Sequence, residues 1–293
     1  VEHFDLLYPA LNINSDVHKL YENPKLLDDI LKELILNINQ KKTISLGENK
    51  KNKDNKESIK FITLEKDVIK RVVSGRLIKI YEDEIQGYDK TTDNLIDIPT
   101  DQLARSCTFF LDLNTEIVAF TLGKYIGHKQ FCEFLEMLLD EYVDDVSFKV
   151  SLYIDKDPLK EQMKRFKRIS KVKVSLILPN PNEEEFNKLF AGSKDSVKEI
   201  NAHQYNQEFL ASRKGEGLKG ETKFLNTLVD GISSGYGEMD VAGIDEANEE
   251  IKVSSSKNFP YKRSIRNTEK QSIPSVKELG GRYIQAIIAK FSG

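Results

Sequence analysis

Asp240 is followed ten residues later by Glu250 and then by Lys252, in the stretch MDVAGIDEANEEIKVSSSK. An Asp, a short gap and Glu-x-Lys on adjoining strands is the residue set of a Mg²⁺-dependent nuclease of the PD-(D/E)xK type. Two carboxylates share the cation there, and the lysine steadies the attacking water or the developing charge. Glu221, expected on a preceding helix, is a further carboxylate for such a scheme. Mg²⁺ is required only under that reading; otherwise no cofactor is implied. The same letters also spell a plain β-hairpin, EMDVAGI and EIKVSSS around the turn-forming Asp245-Glu246-Ala247-Asn248. With 31 % charged residues, acid-x-base triplets downstream of an Asp recur by chance. The hairpin is therefore preferred, and no catalytic residue is favoured.

Two basic stretches suit phosphate better. Between Pro158 and Ile169 the apolar residues Leu159, Met163, Phe166 and Ile169 fall at helical spacing. That leaves Lys160, Lys164, Lys167 and, one turn on, Lys171 together away from the core, with Arg165 and Arg168 flanking them. A solvated helix face usually mixes its charges, so a one-signed stripe points to a polyanion. The second run, SSSKNFPYKRSIRNTEK, interleaves Phe259 and Tyr261 with Lys257, Lys262, Arg263, Arg266 and Lys270. Cations can meet phosphates and rings can stack on bases. Phe259 and Tyr261 serve equally well as core residues of an edge strand.

Other patterns carry less. Gly215-Glu216-Gly217-Leu218-Lys219-Gly220 matches GxGxxG, but QEFLASRK before it is not the strand that a dinucleotide fingerprint needs. His3, His18, His128 and His203 lie far apart, without metal-ligand spacing.

The net charge of −3 conceals a bipolar chain. Glu133 to Asp145 holds six acids and no base, a helix face that would suit a basic protein partner. A protein-interaction or toxin-regulating role is thus a second class of function. No apolar run is long enough to span a bilayer and no export signal opens the sequence. Two cysteines, Cys107 and Cys132, imply neither a disulfide framework nor a metal site, which fits a reducing cytoplasm.

The elements that must hold these residues read as α+β. Asn23-Pro24 opens a helix, and residues 46 to 60, nearly devoid of apolar groups, read as a flexible loop. FITLE, GRLIKIYEDEI, NLIDIP, CTFFLDL and EIVAFTL follow as an antiparallel β-meander, with a hairpin at Asn114-Thr115. GHKQFCEFLEMLLDEYV is an amphipathic helix packed on that sheet. FKVSLYIDKDP and VKVSLILPNP flank a helix with Asp157 as N-cap and Pro158 as its first residue, a βαβ unit with parallel strands. Residues 193 to 220 read as a linker or an extended arm, ETKFLNTLVDGI as a helix and PYKRSIR as a further strand. Pro274 opens a closing helix with a wide apolar face, suited to the core first and to a dimer seam second. Two domains, 1–145 and 146–293, are the expected division, with one interwoven domain as the alternative.

The stretch FFLDLNTEIVAFTLGKYIGHKQFCEFLEMLL, the strand, helix and strand after it, and VAGIDEANEEI together resemble the RexA-like phage-exclusion proteins over about half the chain. The resemblance lies in element order and in the hairpin around residues 245–248, and no functional residue transfers by a matched motif. It implies a non-enzymatic homodimer that binds double-stranded DNA with little sequence preference. Such a protein acts in abortive infection with a separate effector, soluble or membrane-bound, and does not itself enter the membrane.

Overall fold

The computed structural model describes residues 3–15, 17–49, 52–123, 126–190, 193–266 and 272–291. The chain is α+β, and the strands fall into two antiparallel sheets. Two strands come first, β1 (His3–Leu7) and β2 (Pro9–Ile13), followed by α1 (Val17–Glu22) and α2 (Lys25–Asn37). The meander is then laid down in chain order as β3 (Thr43–Asn49), β4 (Asn52–Asp67), β5 (Val72–Asp89), β6 (Asn94–Asp112) and β7 (Ile117–Thr121). β1 joins outside β7, while β2 pairs with β7 and with β8 (Phe148–Leu152).

The middle strands of this sheet are apolar on both faces. Leu7, Phe109, Leu111, Val118 and Phe120 belong to one buried layer; their neighbours Leu6, Phe110, Ile117 and Ala119 belong to the other. Alternate side chains leave a strand on opposite sides, so burial on both sides explains why FFL and IVAF read as unbroken apolar runs. α3 (His128–Asp140) covers the first layer, with the rings of Phe120 and Phe131 stacked at 3.7 Å. The closing helix, α9 (Ile273–Phe291), covers the second through Val276, Ile284 and Ile287. At Gly280 an added Cβ would lie 3.0 Å from the Cβ of Ala119, so glycine lets the helix sit close on the sheet. The closing helix thus serves the core, the first of its two expected uses.

Three expectations change. Residues 46 to 60 are not a loop: they end β3 and open β4, apart from residues 50 and 51, which lie outside the described residues. Backbone pairing needs no apolar period, and Glu57 bridges to Lys79 of β5 at 2.8 Å. The strand–helix–strand order after residue 148 is present as β8, α4 (Lys156–Lys164) and β9 (Arg168–Ile177), but its strands do not pair in parallel. β8 is held by β2 in the large sheet, whereas β9 is the second strand of a four-stranded sheet ordered β10-β9-β11-β12. The presumed linker holds α6 (Lys194–Glu199) and β10 (Gln204–Leu210). β10 hides its period because Gln207 shares the inner side with Tyr205 and Phe209.

The second sheet is completed by β11 (Gly237–Ile244) and β12 (Glu250–Ser254), the foreseen hairpin. Asp245 Oδ1 accepts from the backbone N–H groups of Ala247 and Glu249, both at 2.9 Å, which fixes the turn. α5 (Glu183–Phe190) and α7 (Lys223–Ser233) contribute Phe186, Phe190, Leu228 and Ile232 to the cluster that includes Val172, Val174 and Val241. A short helix, α8 (Ser255–Asn258), leads to β13 (Lys262–Arg266), which pairs with β1. Strands from both sides of residue 145 therefore share one sheet, and one apolar cluster runs from Leu7 to Val253.

Candidate nucleic-acid interface

The basic segment forms a shorter helix than its periodicity suggests. Asp155 occupies the N-cap position in place of Asp157, so Pro158 lies in the first turn, where a missing N–H is tolerated. The N–H groups of Arg165 and Phe166 bond three residues back, to the carbonyls of Gln162 and Met163, and this tightened turn ends α4. Lys167 therefore stands in a bend, and Arg168 and Lys171 stand on β9. The continuous stripe from Lys160 to Lys171 does not form.

What forms instead is a row. Lys156, Lys160 and Lys164 recur every four residues and so share one side of α4. Lys156 and Lys160 both reach a single carboxylate oxygen of Asp230 on α7, at 3.6 and 3.5 Å, and Lys164 reaches Glu221 at 3.7 Å. Three cations thus face two carboxylates. Arg165 follows directly and is exposed. Lys156 was missed in the sequence because the expected helix began two residues later; the K-x₃-K-x₃-K spacing was its signal.

The remaining cations are engaged locally. Lys167 donates to Asn248 Oδ1 at 3.0 Å. The Arg168 guanidinium donates to the backbone carbonyls of Gly215, at 2.9 Å, and Ser212. The first glycine of the GxGxxG turn therefore presents its carbonyl to a cation, the opposite of a phosphate cradle. Lys171 pairs with Glu208 of the neighbouring β10, and that hydrogen bond holds the Glu208 carboxyl below its ordinary range.

The second basic run separates into core and edge. Tyr261 is 4 % exposed, 6.0 Å from the ring of Tyr8, with Arg263 and Lys290 over its face at 5.4 and 5.1 Å. It is a core residue and not a stacking platform for bases. Phe259 packs partly buried against the main core. Lys262, Arg263 and Arg266 are exposed on β13, Lys262 paired with Asp5 at 2.8 Å. Lys257 lies on α8, at the rim of a hollow between α3 and the four-stranded sheet. Lys270 lies outside the described residues.

Register decides the carboxylate pattern. Asp240 is opposite Ser254, Ala242 opposite Lys252 and Ile244 opposite Glu250. All three charged residues face the same way, yet Asp240 and Glu250 are four positions apart along the strands, about 13 Å at some 3.3 Å per residue. Oxygens sharing one Mg²⁺ must each come within about 2.1 Å of it. Glu221 is not helical; it lies in a bend two residues before α7. Among the described residues, no group of three or more His, Cys, Asp or Glu side chains is placed to hold a metal ion.

The acidic helix α3 directs part of its charge inward. Glu136 accepts from the Val150 N–H at 2.8 Å and pairs with Lys149 at 3.0 Å; Asp140 accepts from the Phe148 N–H at 2.7 Å. Burial lifts the Asp140 carboxyl above its ordinary range. Cys107 and Cys132 are both buried and neither forms a disulfide, and among the described residues no helix is long and apolar enough to cross a membrane.

No curated protein matches the sequence. A family model does match, over residues 8–280, from β2 well into the closing helix, so both sheets and the lysine row lie within it. The chain belongs to the family described as a domain of unknown function, DUF4747.

Proposed function

We propose that this protein is a non-enzymatic, largely sequence-independent nucleic-acid-binding component of a phage-exclusion system. It would contact the phosphate backbone through the α4 row and the adjoining Arg165. The observation that carries this reading is the line of Lys156, Lys160 and Lys164, two of which share the one carboxylate of Asp230. Such a row is under-neutralised, and release of counterions from a polyanion would favour its occupation. Arg263 and Arg266 on β13 form a second, smaller exposed group. The RexA-like order of elements adds double-stranded DNA as the preferred polymer, a homodimer as the acting form, and a separate effector protein.

Binding of labelled duplexes of unrelated sequence, titrated in salt with and without Mg²⁺, tests the proposal. Reversing both Lys160 and Lys164 to Glu should weaken every duplex alike, by about tenfold or more at low salt, and flatten the salt dependence by about two charges. Unchanged affinity in the folded variant would remove α4 from the interface. Cleavage that appears only with Mg²⁺ would return the nuclease reading to first place.

A further inference from the structure

Where the two sheets meet, a cleft opens between the β6–β7 turn, the start of α5 and the end of α7. It has an inner lobe of about 230 Å³ and an outer lobe of about 720 Å³, and Thr115, Tyr153, Asn182, Ser234 and Tyr236 line both. Glu116 stands in the inner lobe, at the tip of the β6–β7 hairpin, with a φ of 57°, a conformation that residues other than glycine rarely adopt. Its backbone carbonyl accepts from the Leu11 N–H at 2.7 Å.

The carboxyl group of Glu116 is unusually placed. One oxygen accepts from Asn180 Nδ2. Asn180 is itself oriented, its Oδ1 accepting from the Ile13 N–H at 2.7 Å and its Nδ2 also donating to the Leu11 carbonyl at 3.2 Å. No other hydrogen bond from the described residues reaches the carboxyl, and Arg71 acts on it only through space. Burial pushes Glu116 up to about 7, the position of a group able to switch between donor and acceptor near neutrality. The same burial, aided by the Glu116 charge, raises both tyrosines, Tyr236 to about 12, so their hydroxyls remain protonated donors. Asn182 uses its Oδ1 to accept from the Glu185 N–H at 3.0 Å, which leaves its amide N–H₂ to donate.

A purely structural Glu116–Asn180 contact would be served as well by a neutral amide. A carboxylate with an open oxygen, amide and hydroxyl donors beside it, and two aromatic rings lining the walls instead matches one kind of planar ligand. We propose that the cleft binds a guanine nucleoside or nucleotide. The base presents its adjacent N1–H and N2–H to Glu116, takes hydrogen bonds at its carbonyl from Asn182 and a tyrosine hydroxyl, and lies against the tyrosine rings. Adenine has no such adjacent pair of donors and leaves the carboxylate unsatisfied. In the outer lobe stand Lys156, Lys188 and Lys290, bridged to Asp230 at 3.6 Å, Glu185 at 3.7 Å and Asp155 at 3.2 Å. A phosphate there must displace these acids, so base recognition dominates affinity.

Calorimetric titration of the intact protein with guanosine, GMP and AMP at pH 6 and pH 8 tests the site. Guanosine and GMP should bind, with AMP weaker by about tenfold or more, since a buried acceptor left unpaired is penalised. Affinity should rise from pH 6 to pH 8 as Glu116 ionises. Glu116→Gln should lose the guanine compounds by about tenfold or more and lose the pH dependence, while duplex binding through α4 stays as in the wild type. That last comparison separates this inference from the nucleic-acid reading, which it does not require. Tyr236→Ala is the second variant, expected to weaken guanosine without changing the pH profile. Absence of heat and of thermal stabilisation with both guanine compounds, equal affinity for AMP, or wild-type binding by Glu116→Gln would each overturn it.

Discussion

The long meander sheet and the four-stranded sheet differ in how many of their faces are buried, and the difference decides what each sequence pattern means. In the meander, β7 is buried at all five positions between α3 and α9. In the smaller sheet, α5 and α7 cover one face, and Lys173, Asp240, Glu250 and Lys252 stand exposed on the other. Acids and bases two residues apart are what an open, soluble sheet face requires. The Asp, Glu-x-Lys spelling arises there without any catalytic cause, because register keeps its carboxylates apart while the alternation keeps them on one side.

The contrast is broken most severely in the meander. Phe120 is fully buried, and its ring stacks on Phe131 of α3. Phe120→Ala should cost about 3–5 kcal/mol, the range for emptying a packed aromatic site. Urea unfolding checks this; a loss under about 1 kcal/mol would mean that the face tolerates a void as an exposed sheet would.

How much was legible follows from the same contrast. The meander, the Asp245–Asn248 hairpin, α3 and the closing helix were readable, because each carries a strong period or a specific turn residue. β1 and β2 carried no such signal, since burial on both faces erases alternation in LLYPALNI. β3 and the start of β4 read as a loop because polar strands have no apolar period. The parallel βαβ unit failed for a non-local reason: β2, some 140 residues upstream, captures β8. Of the candidate site, Lys160 and Lys164 were legible, and Lys156 was lost to a misplaced N-cap. Tyr261 was ambiguous because KNFPYKR fits core and interface equally, and only its packing against Tyr8 decides. Glu116 gave no signal, because its position depends on Asn180 and on the seam between the sheets.

That seam gives the intermediate effect. The folded Glu116 carboxyl titrates at about 7, against an ordinary value of 4.5. Below that ordinary value both folded and unfolded chains hold the proton, and the group is neutral in its effect. As pH rises from there through 7, the unfolded chain releases its proton first, so this group subtracts stability, and fully so above 7. Glu116→Gln removes the penalty. At pH 8.5 the variant should be more stable than the wild type by about 1–3 kcal/mol, and near pH 4.5 nearly equal to it. Urea melts at the two pH values read the difference directly, and a variant less stable at pH 8.5 would show that the ionised carboxylate is already well satisfied.

The smallest effect belongs to the open face. Asp240 stands opposite Lys173 on β9 and Ser254 on β12, and Glu250 stands opposite Ile244 at the far end of the hairpin. Both side chains lie in water, where an isolated charge contact contributes little, so Asp240→Ala and Glu250→Ala should each change stability by no more than about 0.5 kcal/mol. Duplex affinity should also hold, because neither residue lies on α4. A metal site would behave otherwise: loss of either carboxylate would abolish Mg²⁺-dependent cleavage and spare binding, since the cation activates the nucleophile. Glu249 is the internal control, one residue away and outside β12, which starts at Glu250. Divalent-dependent cleavage by the purified protein, lost in Glu250→Ala and kept in Glu249→Ala, would mean that the hairpin rearranges by more than about 10 Å to bring its carboxylates together, and the open sheet face would then be the active one.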